Sequence, residues 1–202
     1  SKCDYGGPMI RQQKNGYSLV ELLVVAPIIV LASIIAFTII FRGNQAYQYS
    51  MAQADASQLL TNSLDRISRV LRSTNVIIAA SNNDLTVESY FSPRDSVPDR
   101  ARYYLSNGKL LVDVTPASGT APNYTYLASD MKTITLANAT NTASQPLFRY
   151  YDQNGAMLNS PPTLAAVTVV EITLAVNPKP SVLKNDQSSS TRVQLRNRKT
   201  NL

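Results

Sequence analysis

Residues 17–41, YSLVELLVVAPIIVLASIIAFTIIF, hold a single carboxylate, Glu21, and no other charge in about 25 positions, a pattern that an ordinary soluble domain cannot bury on every side. As a helix the run would extend about 37 Å, more than the roughly 30 Å of a bilayer's hydrocarbon core. It is therefore predicted to be a membrane-spanning helix. With 202 residues in all, the chain has room for one further domain of about 130 residues beyond this stem.

Charge placement gives the run a direction. Arg11 and Lys14 precede it and only Arg42 closely follows it, so the positive-inside bias predicts a single pass with the N-terminus in the cytoplasm and the head outside. A conventional secretory signal has an apolar core of about 7–15 residues ending in a small-residue cleavage site, and this run is too long for one. Cys3 is the one cysteine and histidine is absent, so composition excludes a disulfide framework and a Cys/His zinc site. Residues 1–8, SKCDYGGP, carry neither apolar periodicity nor a strand pattern, whereas Met9 opens a compact basic leader, MIRQQKNG. Met9 is read as the native start, and residues 1–8 as sequence upstream of it.

The junction KNGYSLVELLVV resembles the processing site and N-terminal segment of type IV prepilins and type II secretion pseudopilins. Basic leader, glycine, aromatic residue, a carboxylate four positions on and a long apolar run all coincide there. The resemblance implies that a membrane-embedded prepilin peptidase cuts between Gly16 and Tyr17 and methylates the new N-terminus. Tyr17 stands where the family more often has phenylalanine, and keeps the aromatic character. A separate physical argument concerns Glu21, because a carboxylate near the start of a membrane helix costs several kcal/mol unless it reaches headgroup water or pairs with a cation. The amine freed at Tyr17, in the same chain or in a neighbouring subunit, is the nearest such cation. The resemblance implies the neighbour, a contact that registers a subunit in a growing filament. Pro27 removes a helical hydrogen bond and crowds the preceding turn, so a kink or an opened turn is expected there. In a membrane helix such a break can be satisfied by neighbours; read functionally, it lets the stem bend or partly melt on leaving lipid. The family's frequent later proline is replaced here by Thr38.

Residues 44–71 continue as a helix without proline or internal glycine. Leu60, Leu64, Ile67 and Leu71 recur at helical spacing, flanked by Leu59 and Val70, and are predicted to lie against a sheet. Asp65, Arg66, Arg69 and Arg72 occupy the other side, with Asp65 and Arg69 in the favourable acid-first order. Arg66, Arg69 and Arg72 read as a solvated face or as candidates for contacts of the head with other subunits, in preference to a nucleic-acid site.

From Val76 the chain turns β-rich. Strands are predicted over 76–80 and 84–91, on either side of a Ser81-Asn82-Asn83 turn, and over 101–114, where Asn107-Gly108 is the strongest hairpin signal in the chain. Further strands are predicted over 132–136, 147–151, 165–176 and 191–198. Residues 115–126, with Pro116, Gly119 and Pro122, read as a loop, as do 137–146 and 177–190. Many short strands after one long helix predict an α+β fold, the helix packed on an antiparallel head of two sheets. The segments DRISRVLR, RYYLSNGKLLV, YLASDMKTITL, FRYYDQNG, AVTVVEITLAV and TRVQLRNR narrow the resemblance to the J-type pseudopilin and W-type minor pilin group. That group implies a low-abundance subunit that initiates or caps a filament.

Materials for enzyme chemistry are thin, since a nucleophile, a base and an orienting group must be found without histidine. Asp95 and Asp99 beside Arg94 and Arg100 read as surface salt-bridge material. Asp152, Asn154 and Gly155 read as a hairpin turn, because a calcium loop needs a longer series of acidic ligands. No metal or cofactor is expected. Removing the leader takes a net two positive charges (Lys2, Arg11 and Lys14 against Asp4) from the formal +6, and the remaining balance of about four is modest, with Arg192, Arg196, Arg198 and Lys199 as a basic cluster. Nucleic acid is a conceivable partner of that cluster, but alternation with Val193 and Leu195 favours a strand with one polar face.

The sequence thus divides into a leader (1–16), a transmembrane or filament-core helix (17–41), its amphipathic continuation (42–72) and a β-rich head (73–202). The function expected is that of a non-enzymatic minor pilin or pseudopilin, first in the inner membrane and then in an extracellular or periplasmic filament with other pilin subunits. A second reading, from the binding class, gives the head an adhesin or DNA-receptor role at a filament tip.

Overall fold

The computed structural model describes residues 18–91, 97–120 and 123–195. Helix α1 (Leu19–Arg72) is continuous over 54 residues, its first bond running from the Leu22 N–H to the Ser18 carbonyl at 3.1 Å. Pro27 lies inside it without ending it. The proline still has no N–H to give the Leu23 carbonyl. Two compact units divide the chain, one ending at Tyr47 and the other beginning at Gln48, and α1 contributes residues to both.

Within the second unit, α1 buries Ala52, Ala56, Leu60, Leu64, Ile67 and Leu71, steps of three and four that keep one face inward. The leucine stripe lies where its spacing predicts, and two alanines extend it upstream. The helix stops at Arg72 because its last carbonyls find other donors. The Val70 carbonyl accepts from the Ser73 N–H (3.1 Å) and from the buried Ser89 hydroxyl (2.6 Å), which ties the helix end to the second strand.

Eleven strands follow among the described residues: β1 (Thr74–Ala80), β2 (Asp84–Ser89), β3 (Asp99–Ser106), β4 (Lys109–Thr115), β5 (Ala117–Thr120), β6 (Asn123–Tyr126), β7 (Lys132–Asn138), β8 (Phe148–Tyr151), β9 (Met157–Leu158), β10 (Val169–Val176) and β11 (Gln187–Gln194). They form a five-stranded sheet in the order β1-β2-β3-β4-β7, a four-stranded sheet β11-β10-β8-β9 and the two-stranded β5-β6, with every pairing antiparallel. The fold is α+β. In the first sheet Leu85, Tyr103 and Val112 stand in register and face the core, as do Val87 and Ala101 beside them. In the second, Val170 is flanked by Tyr150 and Val193, and Ile172 by Phe148. All of these belong to one apolar cluster shared with α1.

Two asparagine-containing segments join the sheets. At the β1–β2 turn, the Asn82 carbonyl accepts from Phe148 N–H (2.8 Å) and the Asn83 side chain from Leu147 N–H (3.1 Å), while the Tyr150 hydroxyl donates to the Ser81 carbonyl (2.7 Å). Burial pushes the Tyr150 phenol well above its usual range, so it stays a donor. At the other segment, β8 pairs with β10 only as far as Ile172, and the Thr173 N–H donates to the Leu147 carbonyl. Beyond that, Asn141 takes over the ladder: its amide donates to the Thr173 carbonyl (2.8 Å) and accepts from the Ala175 N–H (2.9 Å). Residues 137–146, predicted to be a loop, thus begin as the end of β7 and are then stapled to β10.

The Asn107-Gly108 turn forms as predicted, both residues having positive φ (50° and 68°), the geometry whose twist matches a two-residue hairpin. An added Cβ at Gly108 would meet only the Ala139 carbonyl, at 3.8 Å, so the cost of substitution is conformational rather than steric. Gly108→Ala is expected to lower stability by about 1–2 kcal/mol, read as a reduced thermal midpoint of the detergent-solubilised chain.

Several predicted elements need correction. Residues 115–126 are not a loop: β5 and β6 pair from Ala117↔Tyr126 to Thr120↔Asn123. Their pairing rests on a Ser118–Thr125 hydroxyl contact of 2.8 Å and on the Tyr126 hydroxyl, which donates to the Pro98 carbonyl at 3.0 Å, rather than on apolar alternation. The strand predicted from 165 begins only at Val169, after a 3-10 turn at Leu164–Ala166. The last strand starts at Gln187, earlier than predicted, because Ser188 to Ser190 stay in register with the apolar end of β10. The Asp152–Gly155 turn between β8 and β9 is as predicted, with the Asp152 carboxylate accepting from the Asn154 (2.9 Å) and Ala156 (2.8 Å) N–H groups.

Candidate functional site

The stem is apolar all round and none of its most apolar stretch is buried. It is long and apolar enough to cross a membrane. Its two hydroxyl side chains below the first turn are satisfied internally: Ser33 donates to the Ile29 carbonyl (2.7 Å) and Thr38 to the Ile34 carbonyl (2.8 Å), each four residues back. Phe37 and Phe41 stack one turn apart with ring centroids 6.3 Å from each other. Against this uniform exterior, Glu21 stands exposed in the first helical turn, where the exposed N–H ends of the helix favour a negative charge. Together with Leu22, Val25, Ala26 and Ile29 it lines a shallow groove of about 340 Å³ along one helix face.

The helix start also places Ser18 just outside and Glu21 at the third helical position, the Ser-x-x-Glu spacing of a capping box. That spacing is legible in the sequence. Gly16 and Tyr17, the predicted processing residues, lie outside the described residues.

Arg66, Arg69 and Arg72 are exposed on the side of α1 opposite its buried stripe, and the last two lie in the final turn, where cations favour the carbonyl end. Among the described residues none of the three forms an ion pair, and Asp65 does not pair with Arg69 despite its spacing. Asn62, Asp65, Arg66 and Arg69 form one wall of a cleft of about 420 Å³ whose other wall includes Phe91. The Arg66 charge opposes, without cancelling, the upward push of burial on the Tyr103 phenol beneath the helix.

Sequence reasoning missed the ordered charges on the outer faces of both sheets. On the first sheet Arg100 pairs with Glu88 (2.8 Å) and lies over the Tyr126 ring (4.0 Å), and Arg102 pairs with Asp84. Asp113 accepts from the Thr133 (2.6 Å) and Tyr104 (3.3 Å) hydroxyls. Arg100 is thus salt-bridge material, as predicted, though with a partner on β2, while Asp99 accepts from the Ala117 N–H at 3.3 Å. Arg94 and Asp95 lie outside the described residues.

On the second sheet Glu171 receives Arg192 (3.1 Å) and the Tyr151 hydroxyl, and Arg192 lies over the Tyr151 ring at 4.5 Å. Arg192 is therefore engaged within the head. Arg196, Arg198 and Lys199, the rest of the predicted basic cluster, lie outside the described residues. Burial pushes the Glu171 carboxyl up, but hydrogen bonds from Tyr151 and Arg192 and the charges of Arg192 and Arg149 outweigh it, and the net direction is down. A folded value below the unfolded one adds stability above the ordinary glutamate pKa of about 4.3 and loses it as pH falls through the folded value. Wild type is expected to exceed Glu171→Gln in stability near neutral pH, with the gap closing in acid; a pH series of thermal midpoints reads this, and a gap independent of pH would remove titration from the account.

A further cleft of about 480 Å³ opens where the β1–β2 turn meets the end of β8, lined by Asn82, Pro146, Arg149, Leu158, Asn159 and Ser160 among others. Among the described residues no group of three or more His, Cys, Asp or Glu side chains converges in a way that could hold a metal ion. No family model matches the chain, and no curated protein matches it.

Proposed function

We propose that this chain is a type IV pilin-like minor subunit: it is cut between Gly16 and Tyr17, held in the membrane by its stem, and built into a pilus or pseudopilus that it initiates or caps. One observation carries the reading. A single continuous helix is bare and apolar around one carboxylate at its start, and supplies core residues to an antiparallel head at its end. An element made only to anchor needs no lone carboxylate in its first turn, whereas an element that passes from lipid to a protein filament can use it against a neighbour's amine. The partners in this reading are the prepilin peptidase, which acts on the junction, and other pilin or pseudopilin subunits.

Mature protein from piliated cells is expected to begin at N-methylated Tyr17. Intact-mass and N-terminal peptide measurements check this directly, and an unprocessed chain in a piliated cell would defeat the reading.

The cleft beside Asn82, Arg149 and Asn159 favours a second reading, in which the head is a binding module at a filament tip. Deleting the gene separates the two. Loss of filaments supports a role in initiation, while intact filaments with reduced attachment or DNA uptake support the binding role.

A further inference from the structure

Three of the four edges of the two large sheets are blunted, and the fourth is not. β1 carries two register shifts against β2 and lies beside the Leu164–Ala166 turn. β7 is shifted in register against β4, and its Leu136 carbonyl takes the Ser63 hydroxyl of α1 at 3.5 Å. β9 is only two residues long. By contrast, β11 runs eight residues in unbroken register with β10, without proline, lysine or bulge, the devices by which soluble sheets discourage edge pairing. Its one charge, Arg192, is neutralised by Glu171. Ser188, Ser189 and Ser190 are exposed, and neither their hydroxyls nor that of Thr191 has a hydrogen-bond partner among the described residues.

We propose that β11 is the edge through which two copies of this chain pair, antiparallel about a two-fold axis at Ser190. In an antiparallel ladder the outward N–H and C=O groups belong to alternate residues, so two identical edges meet only when opposed positions are both even or both odd in number. Centring on Ser190 meets that condition. It sets Ser190 against its own copy, Ser189 against the second copy's Thr191 and Ser188 against Arg192. Hydroxyl pairs then fill the centre of the seam and no like charges oppose. Centring on Thr191 would set Ser189 against Val193 and Ser190 against Arg192, leaving only the Thr191 self-pair of hydroxyls, and centring on Ser189 would keep hydroxyl pairs but overlap the strands only over residues 187–191 instead of 187–193. A second copy fits this edge because its own β11 supplies the matching short hydroxyl side chains at every central position.

Directly opposed residues in such a ladder have Cα atoms about 4.5–5.5 Å apart, within the span of a disulfide. The test uses the full chain in detergent or vesicles, with Cys3→Ser to remove the one cysteine of the chain and a single reporter cysteine added. Under mild oxidation Ser190→Cys is expected to form disulfide dimers about tenfold or more faster than the exposed control Ser129→Cys. Ser189→Cys alone should stay slow, yet crosslink when mixed with Thr191→Cys chains. Equal rates at positions 190, 189 and 129 would overturn the pairing, and so would failure of the Ser189→Cys and Thr191→Cys mixture. The three serine positions are exposed and Thr191 is half-buried, all of them outside the core, so unchanged thermal midpoints identify a negative result as a real absence of pairing.

Discussion

Asn141→Ala is expected to destabilise the head by about 2–4 kcal/mol, far more than a substitution in a surface loop ordinarily does. The cost arises on β10. Ala175 is only 1% exposed, and its N–H would lose the Asn141 oxygen while the Thr173 and Gln145 carbonyls lost the amide. Buried backbone groups left unpaired cost about 1–3 kcal/mol each, reduced where water can enter. Asn154→Ala, in the exposed Asp152–Gly155 turn, is the control and should change stability by less than about 0.5 kcal/mol. Denaturant unfolding of both variants, with tyrosine fluorescence as the probe, checks the difference; equal midpoints would mean that water replaces the Asn141 side chain on the ladder.

Glu21→Val is expected to leave membrane insertion intact and to cut incorporation into filaments by about tenfold or more. Removing a charge from an apolar run makes insertion easier, so a loss of filament signal cannot be charged to a failure to reach the membrane. A contact worth about 1.4 kcal/mol is enough for a tenfold change in occupancy, and an ion pair sheltered from water exceeds that. The comparison is of membrane-fraction and sheared-filament levels in one culture. Glu21→Gln refines it: recovery by glutamine would indicate that side-chain hydrogen bonding at this position matters and the charge does not. Unchanged incorporation of the valine variant would remove Glu21 from assembly.

Where the chemistry is local, the sequence was a sufficient guide. Asn107-Gly108 announces its turn because only residues at ease with positive φ fit it, and Leu60, Leu64, Ile67 and Leu71 announce a buried face by spacing alone. Strand β5, Ala-Ser-Gly-Thr, announces nothing, since its pairing depends on Thr125 across the hairpin and on Tyr126 reaching back to Pro98. The start of β11 is hidden for a similar reason: three serines become a strand only because β10 lies beside them. Asn141 could not be identified at all without knowing where β8 begins. Of the candidate site, Glu21 is legible because it is the one carboxylate in an apolar run. The pairs Arg100–Glu88, Arg102–Asp84 and Arg192–Glu171 join residues 12 to 21 positions apart, and no spacing rule finds them before the register is known.

The hydroxyls of Ser33 and Thr38, folded back onto the carbonyls of Ile29 and Ile34, have a consequence for how the stem is oriented about its own axis. With their polarity returned to the backbone, these side chains show the surroundings little more than hydrocarbon, and rotating the helix exchanges one aliphatic surface for another at little cost in free energy. Azimuthal preference is then concentrated at two marks near one end: Glu21 and the Leu23 carbonyl that Pro27 leaves without its N–H. Erasing the carboxylate would leave a rod with almost no sense of which side faces a neighbour.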